Sequence, residues 1–248
     1  MSDPSIKVVD LTIGWDETVL QRNATFEIER GSVFVILGGS GCGKSTMLRY
    51  LVGLEQPLGG SITIDGQVPW QGIDGPPRFG VMFQSGALLG SLTVGENVAL
   101  PLQEWTDLPP DAIGGLVAAK LRLVGLQRAE SQMPGELSGG MRKRAAIARA
   151  MALEPDLLFL DEPSAGLDPV SAVELDDLIV NLNQQLGLTF VVVTHDLESI
   201  FKISKSCIML DRESQSIIAR GDPRVLRDTS EDPRVHSFFN RTPQAVKP

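Results

Sequence analysis

One junction, at residues 33–52, constrains the fold more than any other feature of the chain. Val33-Phe34-Val35-Ile36-Leu37 is an unbroken apolar run, the pattern of a strand covered on both faces, and such strands belong to parallel sheets. It leads directly into Gly38-Gly39-Ser40-Gly41-Cys42-Gly43-Lys44-Ser45, which fits the phosphate-loop pattern G-x-x-x-x-G-K-[ST]. Met47, Leu48, Leu51 and Val52 then recur at helical spacing. Strand, glycine loop and helix in that order aim backbone N–H groups and a helix dipole at a bound anion. The glycines let the main chain close round phosphate oxygens with no Cβ in the way. The loop at 38–46, through to Thr46, is therefore expected to cradle a nucleotide, with ATP the expected ligand. Lys44 reaches the terminal phosphates in this reading, and the Ser45 hydroxyl ligates Mg²⁺.

Other runs extend the same architecture. Leu157-Leu158-Phe159-Leu160 and Phe190-Val191-Val192-Val193 read as two more buried strands, and 79–83 as a third. Leu175, Leu178, Ile179, Leu182 and Leu186 mark one face of a helix. Buried strands alternating with helices predict an α/β fold, a P-loop NTPase core with a parallel sheet flanked by helices. Ile6-Lys7-Val8-Val9-Asp10-Leu11, Thr25-Phe26-Glu27-Ile28 and the strand at 61–64 form an N-terminal antiparallel β region. Residues 86–152 break the rhythm. Ile113, Leu116, Val117, Leu121 and Val124 have helical spacing, and a second helix is expected from Gly140 to Ala152. The expected organisation is one nucleotide-binding domain at 1–230, with its core at 1–85 and 153–230 and a helical subdomain at 86–152. After Gly221 the Asp222-Pro223 and Asp232-Pro233 steps dissolve the pattern, so 231–248 is expected to be a peripheral tail.

Bulk properties narrow the classes further. A length of 248 residues accommodates one large domain with an insertion. A formal charge of −9 and a pI near 4.8 argue against a nucleic-acid partner, which needs a basic surface. No apolar run approaches the ~20 residues of a membrane span, and Met1-Ser2-Asp3-Pro4 lacks a signal-peptide pattern. The expected location is cytoplasmic. Cys42 and Cys207 have no framework spacing, so no disulfide is expected. A thiol at Cys42, close to helix-terminal positive potential, is expected to be acidic and open to alkylation that ATP blocks.

A magnesium nucleotide needs a carboxylate, and hydrolysis needs a group that positions water. Asp161 and Glu162 follow a buried strand, at the sheet's carboxyl end where ligands of α/β folds collect. Asp161 is placed to hold hydrated Mg²⁺, and Glu162 to act as general base. His195 follows another buried strand; its imidazole N–H can hydrogen-bond transferring phosphate oxygens, and the bland alternative is a structural histidine.

Leu137-Ser138-Gly139-Gly140 precedes a helix bearing Arg142, Lys143 and Arg144. By physics alone it is a serine–glycine anion nest at a helix N-terminus. Together with the phosphate loop, Asp161-Glu162 and His195, it resembles the signature of ABC-transporter ATPase subunits, in order, over nearly the whole chain. The resemblance implies that Gln84 senses Mg²⁺ and water and links the site to a membrane subunit. It implies that Ser164-Ala165-Gly166-Leu167-Asp168 crosses a dimer interface, and that Ser138, Gly139 and Gly140 contact the γ-phosphate held by a second copy. Two ATP molecules are then sandwiched head-to-tail. Two positions depart from the pattern: Met141 stands where glutamine is usual, and the only tyrosine, Tyr50, lies in the helix after the loop. Trp15 occupies the region of the adenine-stacking aromatic; it either stacks on adenine or is a surface-strand aromatic.

The stretch from Leu137 to Arg144 with Met141 resembles the ATPases of bacterial lipid-trafficking systems that work with Mce-domain proteins, the Mla group. So do Phe83-Gln84-Ser85-Gly86-Ala87-Leu88-Leu89, Glu96-Asn97-Val98-Ala99-Leu100-Pro101-Leu102 and Asp232-Pro233-Arg234-Val235-His236-Ser237-Phe238-Phe239. That resemblance implies an integral membrane permease, a periplasmic Mce lipid-binding protein, a small STAS-domain partner, and attachment to the cytoplasmic face of the inner membrane. The rival readings are an ATPase of an importer for a small polar solute, and a non-transport ATPase acting on DNA or ribosomes; no long heptads favour the latter. Ala87, Leu88, Leu89, Leu92 and Val94 either line a groove for a permease helix or pack inside the helical subdomain. Phe238 and Phe239 need a covering surface, which a partner chain would supply.

Overall fold

The computed structural model describes residues 5–15, 18–69 and 75–241. The chain divides into two compact units, one of residues 1–72 and 191–248, the other of residues 73–190.

The first unit opens with a hairpin, β1 (Ile6–Trp15) antiparallel to β2 (Thr18–Ile28). The expected strand at 6–11 is thus a longer element, bent at register shifts between Val8 and Gly14. β3 (Val33–Gly38) is buried at every position, as its unbroken apolar run requires. The loop then enters α1 (Lys44–Leu51), whose Met47, Leu48 and Leu51 are fully buried. β4 (Gly59–Ile64) pairs antiparallel on the other side of β1, giving a three-stranded sheet in the order β2-β1-β4.

In the second unit, β5 (Phe79–Met82) lies parallel to β6 (Leu157–Asp161). Between them come α2 (Val94–Trp105), α3 (Pro110–Leu123), a 3₁₀ turn at Pro134–Glu136 and α4 (Gly139–Ala150). The three helices pack on one another. Thr93 and Glu96 form a reciprocal capping box on α2, so the Thr93 hydroxyl and Glu96 carboxylate each satisfy one end of the same turn. Of the predicted helical stripe, Ile113, Val117, Leu121 and Val124 are buried. α5 (Pro169–Leu186) starts on an Asp168 cap and buries Leu175, Ile179 and Leu182. Leu186, expected on the same face, is 49% exposed, because the helix ends at Gly187 in the left-handed region directly after it. β7 (Thr189–Val193) begins in this unit and continues into the first.

The returning chain adds α6 (Leu197–Ile203), β8 (Ser206–Asp211) and β9 (Ser216–Gly221). β8 runs parallel to β3, and β9 returns antiparallel to β8. The Asp-Pro steps do not dissolve the structure. Each is a helix start, α7 (Pro223–Thr229) and α8 (Pro233–Asn240), with the aspartate accepting from backbone N–H groups and proline at the first helical position. Within the tail, α8 buries Val235 and Phe239. The Phe239 ring packs on Phe201 of α6 at 5.8 Å and edge-on to Phe238 at 5.4 Å. Phe239 is thus covered by its own chain, and only Phe238 is left half-buried. Arg234 ties the helix down through Asp232 at 2.6 Å and Asp211 at 2.8 Å.

Candidate nucleotide site

The phosphate loop takes the form its glycines permit. Gly38, Gly41 and Gly43 have φ of 147°, 74° and 97°, a region open to glycine and strained for other residues. A Cβ on Gly38 would stand 2.4 Å from the Leu210 carbonyl oxygen and 2.7 Å from the Cys42 sulfur, so β8 packs too close for any side chain. Gly39, by contrast, faces open space, as a cradle needs. The Lys44 ammonium arches back over the loop and donates to the carbonyls of Gly38 at 2.9 Å and Gly39 at 3.1 Å. Ser40 is exposed; Ser45 and Thr46 are half-buried in the first turn of α1, where helix N–H groups point outward. Glycine cradle, helix N-terminus and a cation on one loop form a donor set that fits a polyphosphate.

One residue that sequence reasoning passed over supports this loop. Gln21 of β2 is fully buried, and its amide donates to the carbonyls of Cys42 and Asp211, each at 2.9 Å. Tyr50 is buried too; its hydroxyl donates to the Gly14 carbonyl at 2.5 Å and accepts from the Gly14 N–H at 3.4 Å. That bond anchors the end of β1, which carries Trp15. The Trp15 ring is 48% exposed, and its indole N–H donates to Glu55 at 3.0 Å.

Cys42 corrects an expectation. It is 1% exposed, and burial pushes its thiol pKa above the ordinary 9.0 despite the opposing charge of Lys44. A buried, protonated thiol is not the acidic, accessible group expected from its place beside the loop. Cys207 is likewise buried, its thiol pushed up to about 12.

In the second unit, Asp161 ends β6 and Glu162 follows it, both nearly buried. Glu162 has φ 46°, an uncommon conformation for a glutamate and one that recurs where a site constrains the chain. Asp161 and Gln84 line one open pocket of about 550 Å³ with Phe83, Ser85, Ala165 and Gly166. Sequence spacing alone does not bring Gln84 to Asp161; the parallel pairing of β5 with β6 does. Lys143 of α4, 7% exposed, donates to the main-chain oxygen of Gln84 at 2.5 Å and of Glu162 at 3.3 Å. Burial lowers its pKa, and the charges of Asp161 and Glu162 oppose that shift.

Ser138 caps α4, its exposed hydroxyl accepting from the Met141 N–H at 3.2 Å. A Cβ on Gly139 would lie 3.1 Å from Leu167, and one on Gly140 3.4 Å from Ser171, so both glycines let the turn sit close to the start of α5. Asp168 caps α5, and hydrogen bonds from Ser171 hold its carboxyl below the usual range. Leu89 is 47% exposed and Leu92 half-buried, while Val94 is fully buried and is excluded from any docking groove. Asn97, buried in α2, fixes this loop by accepting from the Leu89 N–H and donating to the Leu89, Leu92 and Thr93 carbonyls. His195 lies exposed after β7, at the carboxyl end of that strand as expected. Among the described residues no helix is long and apolar enough to cross a membrane.

Comparison with known proteins gives the family. The ABC transporter family matches residues 21–165. The chain is 40% identical to the intermembrane phospholipid transport system ATP-binding protein MlaF of Haemophilus influenzae, over 96% of its own length and 91% of that protein. With MlaF of Escherichia coli K12 the identity is 42%, over 88% and 82%. It is also 40% identical to the probable ribonucleotide transport ATP-binding protein Mkl of Mycobacterium leprae, over 95% of its length and 69% of that protein. Among solved structures, cbiO1 of Clostridium perfringens, part of an ABC transporter complex, superposes with a TM-score of 0.83 at 28% identity, covering 95% of each chain. A dimeric ATP-binding cassette, MJ0796, in a post-hydrolysis state with ADP and Pi, gives 0.77 at 29% identity, covering 88% of this chain and 98% of that one. The chain belongs to the ABC transporter ATPase family.

Proposed function

We propose that this ATPase is the motor of a bacterial lipid transporter, driving phospholipid or another hydrophobic cargo between membranes through an integral permease. Likeness to MlaF over most of both chains carries the cargo assignment, since the MlaF proteins are named for phospholipid transport. The geometry supports the chemistry. Lys44 and the amides of the 38–46 loop would hold the phosphates, and Ser45, Asp161 and Gln84 are the residues that would hold Mg²⁺. Few protein ligands suffice for that ion, which keeps waters and phosphate oxygens in its shell. Mg²⁺ bound there would neutralise negative charge that develops on the phosphates. Glu162 takes the proton of the attacking water, and His195 donates to the γ-phosphate. Trp15 stacks on adenine.

Ser138, Gly139 and Gly140 serve the nucleotide of a second copy, so that two ATP molecules lie between two head-to-tail chains. The dimeric MJ0796 cassettes support that arrangement. The assembly includes a periplasmic Mce protein and a STAS-domain protein, with the ATPase on the cytoplasmic face of the inner membrane, and the cassette spans 1–230. A polar cargo is the second reading, favoured by the equal identity to Mkl, whose name assigns ribonucleotide transport. The test is mass spectrometry of whatever co-purifies with the intact membrane complex. Phospholipid and an Mce protein are expected; a polar solute with a matching binding protein overturns the lipid assignment.

A further inference from the structure

α4 joins two parts of the site that sequence keeps apart. Its first turn is the Ser138–Gly140 nest, and one of its faces carries Lys143, Ala146 and Arg149 at successive intervals of three residues. That face grips the segment after β5. Lys143 donates to the Gln84 carbonyl at 2.5 Å, and Arg149 to the carbonyls of Gly86 at 2.9 Å and Ala87 at 2.6 Å. A Cβ on Gly86 would meet the Ala146 methyl at 3.4 Å, so the segment lies directly on the helix. The Lys143 ammonium also reaches the Glu162 carbonyl at 3.3 Å, at the residue whose φ of 46° requires outside support. Bonds from a buried cation to carbonyl oxygens are charge-assisted and among the stronger kind.

We infer that Lys143 is a positioning residue for hydrolysis: it pins the main chains of Gln84 and Glu162 to one helix and so fixes both side chains relative to the nest that begins it. The inference rests on the reading of Glu162 as general base. Its bonds hold the main chains of Gln84 and Glu162, so its loss should spare nucleotide binding and impair the step that needs those two residues in register.

The test uses Lys143→Met, which keeps the apolar stem, and Lys143→Arg, which keeps the charge and donors, in the full chain. Glu162→Gln is the reference. The methionine variant is expected to lose about 10- to 100-fold in kcat, the range for a buried charge-assisted bond, with its Kd for Mg-ATP within about threefold of the parent. The arginine variant should recover most of that loss. A folded methionine variant turning over within about threefold of the parent overturns the inference, as does a Kd that weakens in step with kcat, or no recovery by arginine. If the methionine variant does not fold, Lys143→Gln is judged by the same limits. Parental turnover in Glu162→Gln would locate the failure in the reading of Glu162 itself.

Discussion

Tyr50→Phe removes one oxygen atom and leaves the ring in place. That hydroxyl holds both polar groups of Gly14, donating to its carbonyl at 2.5 Å and accepting from its N–H at 3.4 Å. Burial raises the phenol pKa above its ordinary 10.0, so it remains a donor throughout the working range. Phenylalanine leaves a buried carbonyl and N–H without that partner, a loss of about 1–3 kcal/mol. No cavity larger than the lost oxygen forms, so the packing contribution is small. At about 2–4 °C per kcal/mol for a chain of this size, Tm should fall by about 5 °C. The same bond holds the end of β1 that carries Trp15, so if Trp15 stacks on adenine as proposed, Mg-ATP affinity should weaken a few-fold while kcat at saturation is kept. Differential scanning calorimetry and nucleotide titration measure both effects. A Tm within about 1 °C of the parent refutes the claim that this hydroxyl anchors the end of β1.

Gln21→Met keeps the volume and removes the two bonds to the Cys42 and Asp211 carbonyls. The loop loses its support from β2, and ATP Kd should rise about tenfold, as one or two neutral hydrogen bonds imply; an unchanged Kd contradicts this. Cys42 should alkylate slowly in the native protein at pH 8, accelerating only above its ordinary thiol value of 9.0, because burial holds the proton on sulfur. Rapid labelling at neutral pH, read by peptide mass spectrometry, would contradict that assignment. Phe239→Ala should cost about 3 kcal/mol, the low end for a buried phenylalanine because it sits in a short terminal helix; an unaltered melting curve would mean that α8 does not contribute to the fold.

The parts legible in the sequence were those where one local pattern has one physical solution. A doubly buried strand running into Gly38–Ser45 leaves little choice of backbone, and the stripe from Ile113 to Val124 settles on a helix. The Asp-Pro steps at 222 and 232 misled because the same dipeptide that interrupts a helix also starts one, as cap and first residue. Cys42 misled because proximity to a helix N-terminus was visible, while the burial that outweighs it was not. Lys143 stood in the sequence as one of three consecutive cations; only parallel pairing of β5 with β6 puts Gln84 and Glu162 where one ammonium reaches both. Such contacts depend on segments roughly twenty to sixty residues apart and leave no periodic trace.

The central claim is that ATP closes two copies of this chain around shared nucleotides. Glu162→Gln should keep binding and remove the proposed general base, whose loss is expected to slow turnover by about 10²–10⁴-fold. Light scattering of that variant with Mg-ATP should give twice the 26.7 kDa chain mass, with two ATP per particle, and with Mg-ADP the single-chain mass. Adding Ser138→Arg should abolish the ATP-bound pair while each chain still binds nucleotide. A Glu162→Gln protein that holds ATP yet remains at single-chain mass would contradict the account.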